Sequence, residues 1–283
     1  MSSAISITFN ELKSLRDMVR PALLTFTRGK RVNPEGVEIH GSFPDVFIEP
    51  KKLDAYRNYF GFRNQLPITF LYLLAQRAQA ALMLNKTYTL SIPGTIHLNT
   101  KLELLDEIDP LKRLAIETSI KVQYKEHGSL APVFEISYLQ GDNIVAKGSG
   151  NYLVKRKSKG KSKIREQTVA LSNSSFELDW QLSKKDAFDY ASLSDDHNPI
   201  HKSKLAAQLL GFKSQIIHGW YVASRSAQHI EQQKRRNINR LTIEFLGVHT
   251  LPGDYVFKNN ANLFQTVDEK RNKVLSQGSF NFL

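Results

Sequence analysis

The segment from Leu182, LSKKDAFDYASLSDDHNPIHKSKLAAQLLGFKSQIIHGWYVASRSAQHI, places a carboxylate at Asp196 and an imidazole at His201 on either side of Asn198-Pro199. A carboxylate and an imidazole aimed at one point suggest acid–base work. On one continuous helix these two positions would face different sides. Pro199 restricts Asn198 and removes a backbone donor, so Asp196, His197 and Asn198 are expected on a defined turn that can aim both groups together. By residue type alone the segment reads more readily as a turn former beside a structural histidine. A metal reading through Asp196, His197, His201 and His218 lacks a helical i, i+4 ligand pair, and no metal is expected.

The elements around the turn can be laid out from local pattern. Ser183, with Asp186 three positions on, predicts a capped helix over SKKDAFDYASLS, and a second short helix follows from Ser203 with Gly211 as its stop. A long apolar helix is expected over Ile217 to Gln232, and another over Ile68 to Met83. The two lie in a weak repeat: GFRNQLPITFLYLLAQRAQ from Gly61 aligns with GFKSQIIHGWYVASRSAQ from Gly211 with one residue of slip. Strand-like runs occupy TYTLSI from Thr87, TIHLNTKLELL from Thr95, LAIETSIKVQY from Leu114, VFEISYL from Val133 and NIVAKGSGNYLV from Asn143. Further runs start at Phe176, Arg240, Asp254 and Val274. Helices this apolar need burial on more than one face, which a curved antiparallel sheet provides.

Between the halves stands KRKSKGKSKIR, Lys155 to Arg165, a basic run without apolar periodicity. The expected division is an N-terminal half over 1–154, a basic linker over 155–167 and a C-terminal half over 168–283. The GKS within the run lacks the first glycine of a phosphate-binding loop, since position 155 is lysine, and no aromatics are interleaved for nucleic-acid stacking. Across 283 residues the net charge is +12, which suits an anionic partner. The absence of cysteine excludes disulfides, thiolate nucleophiles and Cys-held metals. Leu66 to Leu84 is interrupted by Gln76, Arg77 and Gln79 and reads as a buried helix rather than a membrane span. The N-terminal stretch lacks the pattern of a presequence, so a cytoplasmic location is expected.

Tyr190, Ser194, Asp196, Asn198, Pro199, His201, Ala206, Gly211, Phe212, Ile217, His218 and Gly219 follow, in order and spacing, a Y-x-x-x-S-x-D-x-N-P-[IL]-H … A-x-x-x-x-G-F … I-x-H-G signature. On these residues the chain resembles the MaoC-like, (R)-specific enoyl-CoA hydratase (hydratase 2) family. The likeness covers residues 174 to 283 and takes in EFLG from Glu244 and LPGD from Leu251. It implies an α+β double hot-dog, two antiparallel sheets each wrapped around a long central helix. The N-terminal copy would be degenerate and non-catalytic, because DAYRNYF from Asp54 runs almost directly into Gly61-Phe62 without the length of the catalytic loop, and Ile68-Thr69 stands where His218-Gly219 falls in the repeat.

The resemblance further implies that Asp196 and His201 hold and activate a water, that Asn198 positions the loop, and that the Gly219 N–H donates to the thioester oxygen. Tyr190, Ser194, Phe212, Ile217, His218 and Trp220 would contact the substrate, although Trp220 stands where the family usually has Met or Leu. The implied reaction is reversible hydration of trans-2-enoyl thioesters, on CoA or an acyl carrier protein, to (R)-3-hydroxyacyl thioesters. No cofactor is implied beyond the CoA or phosphopantetheine thioester that is itself the substrate. The alternatives are a hot-dog acyl thioesterase and a catalytically silent acyl-binding protein. The expected partners are the acyl-CoA or acyl-carrier substrate and no nucleic acid, with the chain a monomer or homodimer.

Overall fold

The computed structural model describes residues 4–28, 38–124, 129–154, 170–171 and 174–282; the basic run and the linker expected over 155–167 lie outside them. The chain divides into two compact units. One is Met1–Leu53 with Phe70–Lys163, and the other is Asp54–Thr69 with Ile164–Leu283.

In the first unit the sheet order is β1 (Ile5–Thr8), β2 (Glu38–Val46), β4 (Leu114–Tyr124), β5 (Leu130–Gln140), β6 (Asn143–Val154) and β3 (Thr95–Leu104). All neighbours are antiparallel except β1, which runs parallel to β2. The helices are α1 (Leu15–Leu24), α2 (Pro50–Phe60), whose last turns belong to the second unit, and α3 (Ile68–Leu84), whose first two residues do. Leu, Ala, Gln and Met, all strong helix formers, dominate α3. Phe70, Leu71, Tyr72, Leu73, Leu74, Ala75, Ala78 and Leu82 are buried, so the helix is covered nearly all round. Its C-terminal residues Leu82 and Met83 pack with Ile39, Ile120, Val122 and Phe134 of the sheet, and Tyr138 Oη donates to Leu71 O at 2.7 Å. Gly41 allows this approach, since a Cβ there would sit 2.8 Å from Leu82 Cδ2.

Strands β3 to β6 match four of the sequence-read runs. TYTLSI does not form a strand, because its backbone groups are satisfied elsewhere. Thr87 N–H donates to Asn85 Oδ1, Ile92 N–H donates to Thr25 Oγ1, and Tyr88 O accepts from the Arg28 guanidinium. β1 and β2 were not anticipated. Gly41 and Pro44 break the apolar alternation of β2, whose register on β4 shifts between Phe43 and Val46.

In the second unit the order is β8 (Ile238–Phe245), β11 (Lys273–Phe282), β10 (Leu263–Asp268), β9 (Gly253–Asn260) and β7 (Phe176–Leu182), antiparallel throughout. Helix α7 (Gly219–Lys234) packs on this sheet. His229 lies against Trp180 of β7 and Phe257 of β9, which are themselves stacked with centroids 5.4 Å apart. Helices α4 (Lys184–Ser194), α5 (Pro199–Lys202) and α6 (Lys204–Leu209) connect β7 to α7. Each unit is therefore an antiparallel sheet, apart from the β1 edge, packed on one long helix. Among the described residues no helix is long and apolar enough to cross a membrane.

Candidate active site

The turn carrying Asp196 is built by its neighbours. Ser183 and Asp186 form the capping box that starts α4, the Ser183 side chain accepting from Asp186 N–H while Asp186 accepts from Ser183 N–H. The helix ends at Asp195, which adopts a left-handed conformation with φ 59. Buried Ser194 then locks the exit: its Oγ donates to Tyr190 O at 2.7 Å and accepts from Asp196 N–H at 3.2 Å. Asp196 Oδ1 accepts from Asn198 N–H at 3.2 Å, and Asn198 caps α5 by accepting from Ile200 N–H at 3.4 Å. Pro199 occupies the first turn of α5, where its missing N–H costs nothing.

His201 is buried, and its Nδ1 lies 2.9 Å from Ile216 O. A carbonyl oxygen only accepts, so Nδ1 carries the proton and Nε2 keeps its lone pair. The reverse holds at His218, whose Nε2 donates to Asp196 O at 2.9 Å, leaving Nδ1 unprotonated, buried and, among the described residues, without a hydrogen-bond partner. The two rings stack with centroids 3.7 Å apart. Burial holds the His201 pKa below the ordinary imidazole value against the opposing pull of the Asp196 charge. Burial pushes His218 down to about 3. Both imidazoles are neutral at pH 7.

An Asp196 carboxylate oxygen and one ring nitrogen from each of His201 and His218 all lie within 4.8 Å of one another. A three-donor set of this kind is the number a catalytic metal would use, and it is also the layout of a base and an acceptor around one water. His197 is not part of this group; its Nδ1 accepts from Lys202 Nζ at 3.2 Å.

The remaining sequence-read residues fall into place unequally. Gly219 is the first residue of α7, and His218 provides no side-chain cap there, so the positive end of a long helix stands next to the cluster. A Cβ on Gly219 would meet Phe245 Cε1 at 2.9 Å. Buried Tyr190 packs its ring on His218 with centroids 4.9 Å apart. Ile217 is buried, and its N–H donates to His249 O at 3.0 Å. Trp220 Nε1 donates to Thr69 O at 2.8 Å, which anchors α7 to the segment 54–69. Phe212 is half-buried, and its N–H closes the α6 turn onto Ala207 O; the structure shows only this local role for it.

Several members of the site have no sequence signal. Ile216 acts through its carbonyl, and Gln215 Nε2 donates to His201 O at 3.3 Å. From α2, Tyr56 Oη reaches Ser224 Oγ at 2.6 Å and Thr69 Oγ1 at 2.9 Å, while the Phe60 ring lies 6.1 Å from Tyr190 and 5.6 Å from Tyr221. The sequence reading assigns no helix to DAYRNYF; it belongs to α2, and its packing on Tyr190 and Ser224 is set by residues far away in sequence.

A long helix on an antiparallel sheet in each unit is the hot-dog arrangement, and in the second unit an aspartate and a histidine stand on the turn ahead of the helix N-terminus. Residues 165–267 match the family model described as MaoC like domain. The chain is 45% identical over 42 residues to 3-hydroxyacyl-thioester dehydratase X of Mycobacterium tuberculosis, a match spanning 15% of this chain and 15% of that protein. The crystal structure of HtdX from the same organism superposes with a TM-score of 0.72 at 18% identity, covering 86% of this chain and 100% of the other. A MaoC-like dehydratase from Phytophthora Capsici gives 0.62 at 17% identity over 89% and 98%. An acyl-ACP thioesterase from Bacteroides thetaiotaomicron gives 0.54 at 11% identity over 86% and 98%. Structural likeness at these identities establishes the hot-dog fold and not the reaction.

Proposed function

We propose that the protein is a hydro-lyase that adds water to a trans-2-enoyl thioester, or removes it from the 3-hydroxyacyl thioester, through Asp196 and His201. The observation that carries this reading is the fixed tautomer of His201. With Nδ1–H spent on Ile216 O, the Nε2 lone pair is the free base, on a ring that brings a nitrogen within 4.8 Å of an Asp196 carboxylate oxygen. In hydration, the water oxygen bonds to C3 as Nε2 takes one water proton. The C2=C3 electron pair moves to C2 and into the thioester carbonyl. Nε2 then returns the proton to C2, and the imidazole is neutral again. Asp196 accepts from the remaining O–H of the water, and its charge supports the transient imidazolium.

The Gly219 N–H, first on α7, donates to the thioester oxygen where negative charge grows, a contribution of about 3 kcal/mol for one such donor. Addition and protonation from one group place both new bonds on one face of the substrate. Hydration yielding the (R)-alcohol, CoA or phosphopantetheine as the handle, and the absence of a metal step complete the reading. The relative named 3-hydroxyacyl-thioester dehydratase X supports the substrate class.

Crotonyl-CoA tests this. The wild-type chain is expected to remove the enoyl absorbance without releasing free thiol. Thiol release would favour a thioesterase, and no change in either signal would favour an acyl-binding protein.

A further inference from the structure

The excursion 202–215 has an arrangement that the dyad does not require. Its two ends are pinned together at the site, by His201 Nδ1 to Ile216 O at 2.9 Å, Gln215 Nε2 to His201 O at 3.3 Å, and Ile216 N to Ile200 O at 3.5 Å. Loops closed in this way are compact surface features that frequently carry function. Its only helix, α6, buries Ala207 and turns its largest side chains outward. Leu205 is 67% exposed, Leu209 80% and Leu210 41%. Leu205 and Leu209 share one face of the helix by their i, i+4 spacing. Phe188 of α4, 44% exposed, is tied to the loop by Lys202 Nζ, 5.7 Å from its ring centroid. Single exposed leucines need no explanation, but a group of large apolar side chains on a short lobe marks a contact surface.

Within the excursion itself the charge has one sign, while Asp189 adjoins Phe188 on α4 and pairs with Lys185. From position 197 to position 230 the sequence contains no Asp or Glu, and Lys202, Lys204 and Lys213 belong to or border the lobe. Among the described residues these three lysines take part in no ion pair. Free CoA would use the lysines and leave the leucines unused. A protein whose surface alternates carboxylates with apolar side chains would use both.

We propose that the α6 lobe is the docking surface for an acidic carrier protein that presents the acyl group on its prosthetic arm, the lobe seating the carrier beside the turn that bears His201. This rests on the hydro-lyase reading above and specifies the partner of that site.

The test compares one acyl group on two handles. Full-length protein and the variants Leu209→Glu and Lys204→Glu/Leu205→Glu are assayed with crotonyl-CoA and with crotonyl-acyl carrier protein, and the oligomeric state of each is measured by light scattering. The expected result is that each variant lowers kcat/KM for the carrier substrate by about tenfold or more, through KM, as removal of a docking contact does. Its kcat/KM for crotonyl-CoA should stay within about twofold of wild type. Equal losses on both substrates would overturn the proposal, as would unchanged carrier kinetics. Conversion of a wild-type dimer to a monomer by Leu209→Glu would assign the lobe to a second copy of the chain. Wild-type activity on CoA with none on the carrier would overturn the docking surface and leave the hydro-lyase reading standing. Inactivity on both would overturn that reading as well.

Discussion

The starts of the two long helices make an informative pair. Each follows a glycine in the left-handed region, Gly61 with φ 82 before α3 and Gly211 with φ 87 before α7. Each glycine is followed by a phenylalanine whose N–H closes the preceding turn, Phe62 onto Arg57 O and Phe212 onto Ala207 O. At the helix start itself the two diverge. Thr69 accepts Tyr56 Oη on its side chain and Trp220 Nε1 on its carbonyl, so both groups are spent on packing. At His218 the imidazole holds the Asp196 carbonyl and stacks on His201. Ahead of Gly211 stands a turn containing Asp196 and His201, whereas α2 ends at Phe60 and leads straight to Gly61. A long buried helix packed on a sheet is common to both repeats; the turn with Asp196 and His201 belongs to the second.

The comparison can be broken most sharply at the dyad. His201→Ala and Asp196→Asn are each expected to lower kcat on crotonyl-CoA by about a hundredfold or more with circular dichroism unchanged, since a general acid–base group contributes roughly 10²–10⁴-fold. The first repeat has no counterpart of the dyad, and Thr69→Ala, at the start of α3 where Gly219 falls in the second repeat, should leave kcat within about twofold and cost about 1 kcal/mol of stability through its lost hydrogen bond to Tyr56. A reversed pattern would move the site to the other helix. Next in size is Gly219→Ala. The added methyl meets the Phe245 ring at 2.9 Å, so the helix start or the ring must shift, and kcat should fall about tenfold. Recovery on combining it with Phe245→Leu would show that the loss comes from displacement.

A smaller effect concerns pH. Because burial lowers the His201 pKa, Nε2 remains an unprotonated base below pH 6.5, and the acid limb of kcat/KM should lie below the usual imidazole range. The same burial makes the fold acid-sensitive. As pH falls from about 6.5 toward 3, the unfolded chain takes up protons that His218 refuses when folded, so stability declines across that window. A midpoint of kcat/KM at or above pH 6.5 would contradict the role given to His201. Smallest of all, dialysis against a chelator should leave kcat unchanged, because no step is assigned to a metal. Loss of activity restored by zinc would instead make Asp196, His201 and His218 ligands.

How much of this was legible in the sequence follows the range of the interactions. The capped helix α4, the Asn-Pro turn and the approximate extents of α3 and α7 are set by residues close to one another in the chain, and local pattern found them. Strands β1 and β2 and the non-strand TYTLSI depend on distant partners, Arg28 and Thr25 among them, and alternation alone misassigned the last. For Asp196 and His201, type and spacing alone read more readily as structure, and it was the resemblance that gave them candidate roles. The carbonyl of Ile216 that fixes the tautomer could not, since every residue has one. Nor could Tyr56 and Phe60, whose place in the wall depends on packing across more than a hundred positions of chain.

The central claim is that this site joins water to carbon rather than splitting a thioester. Crotonyl-CoA incubated with the protein in water labelled with heavy oxygen, followed by mass spectrometry of the product, reads this directly. The account predicts one heavy oxygen on C3 of an intact 3-hydroxybutyryl thioester, absent when His201→Ala replaces the wild type. Heavy oxygen in a free carboxylate, with an equivalent of released thiol, would contradict it.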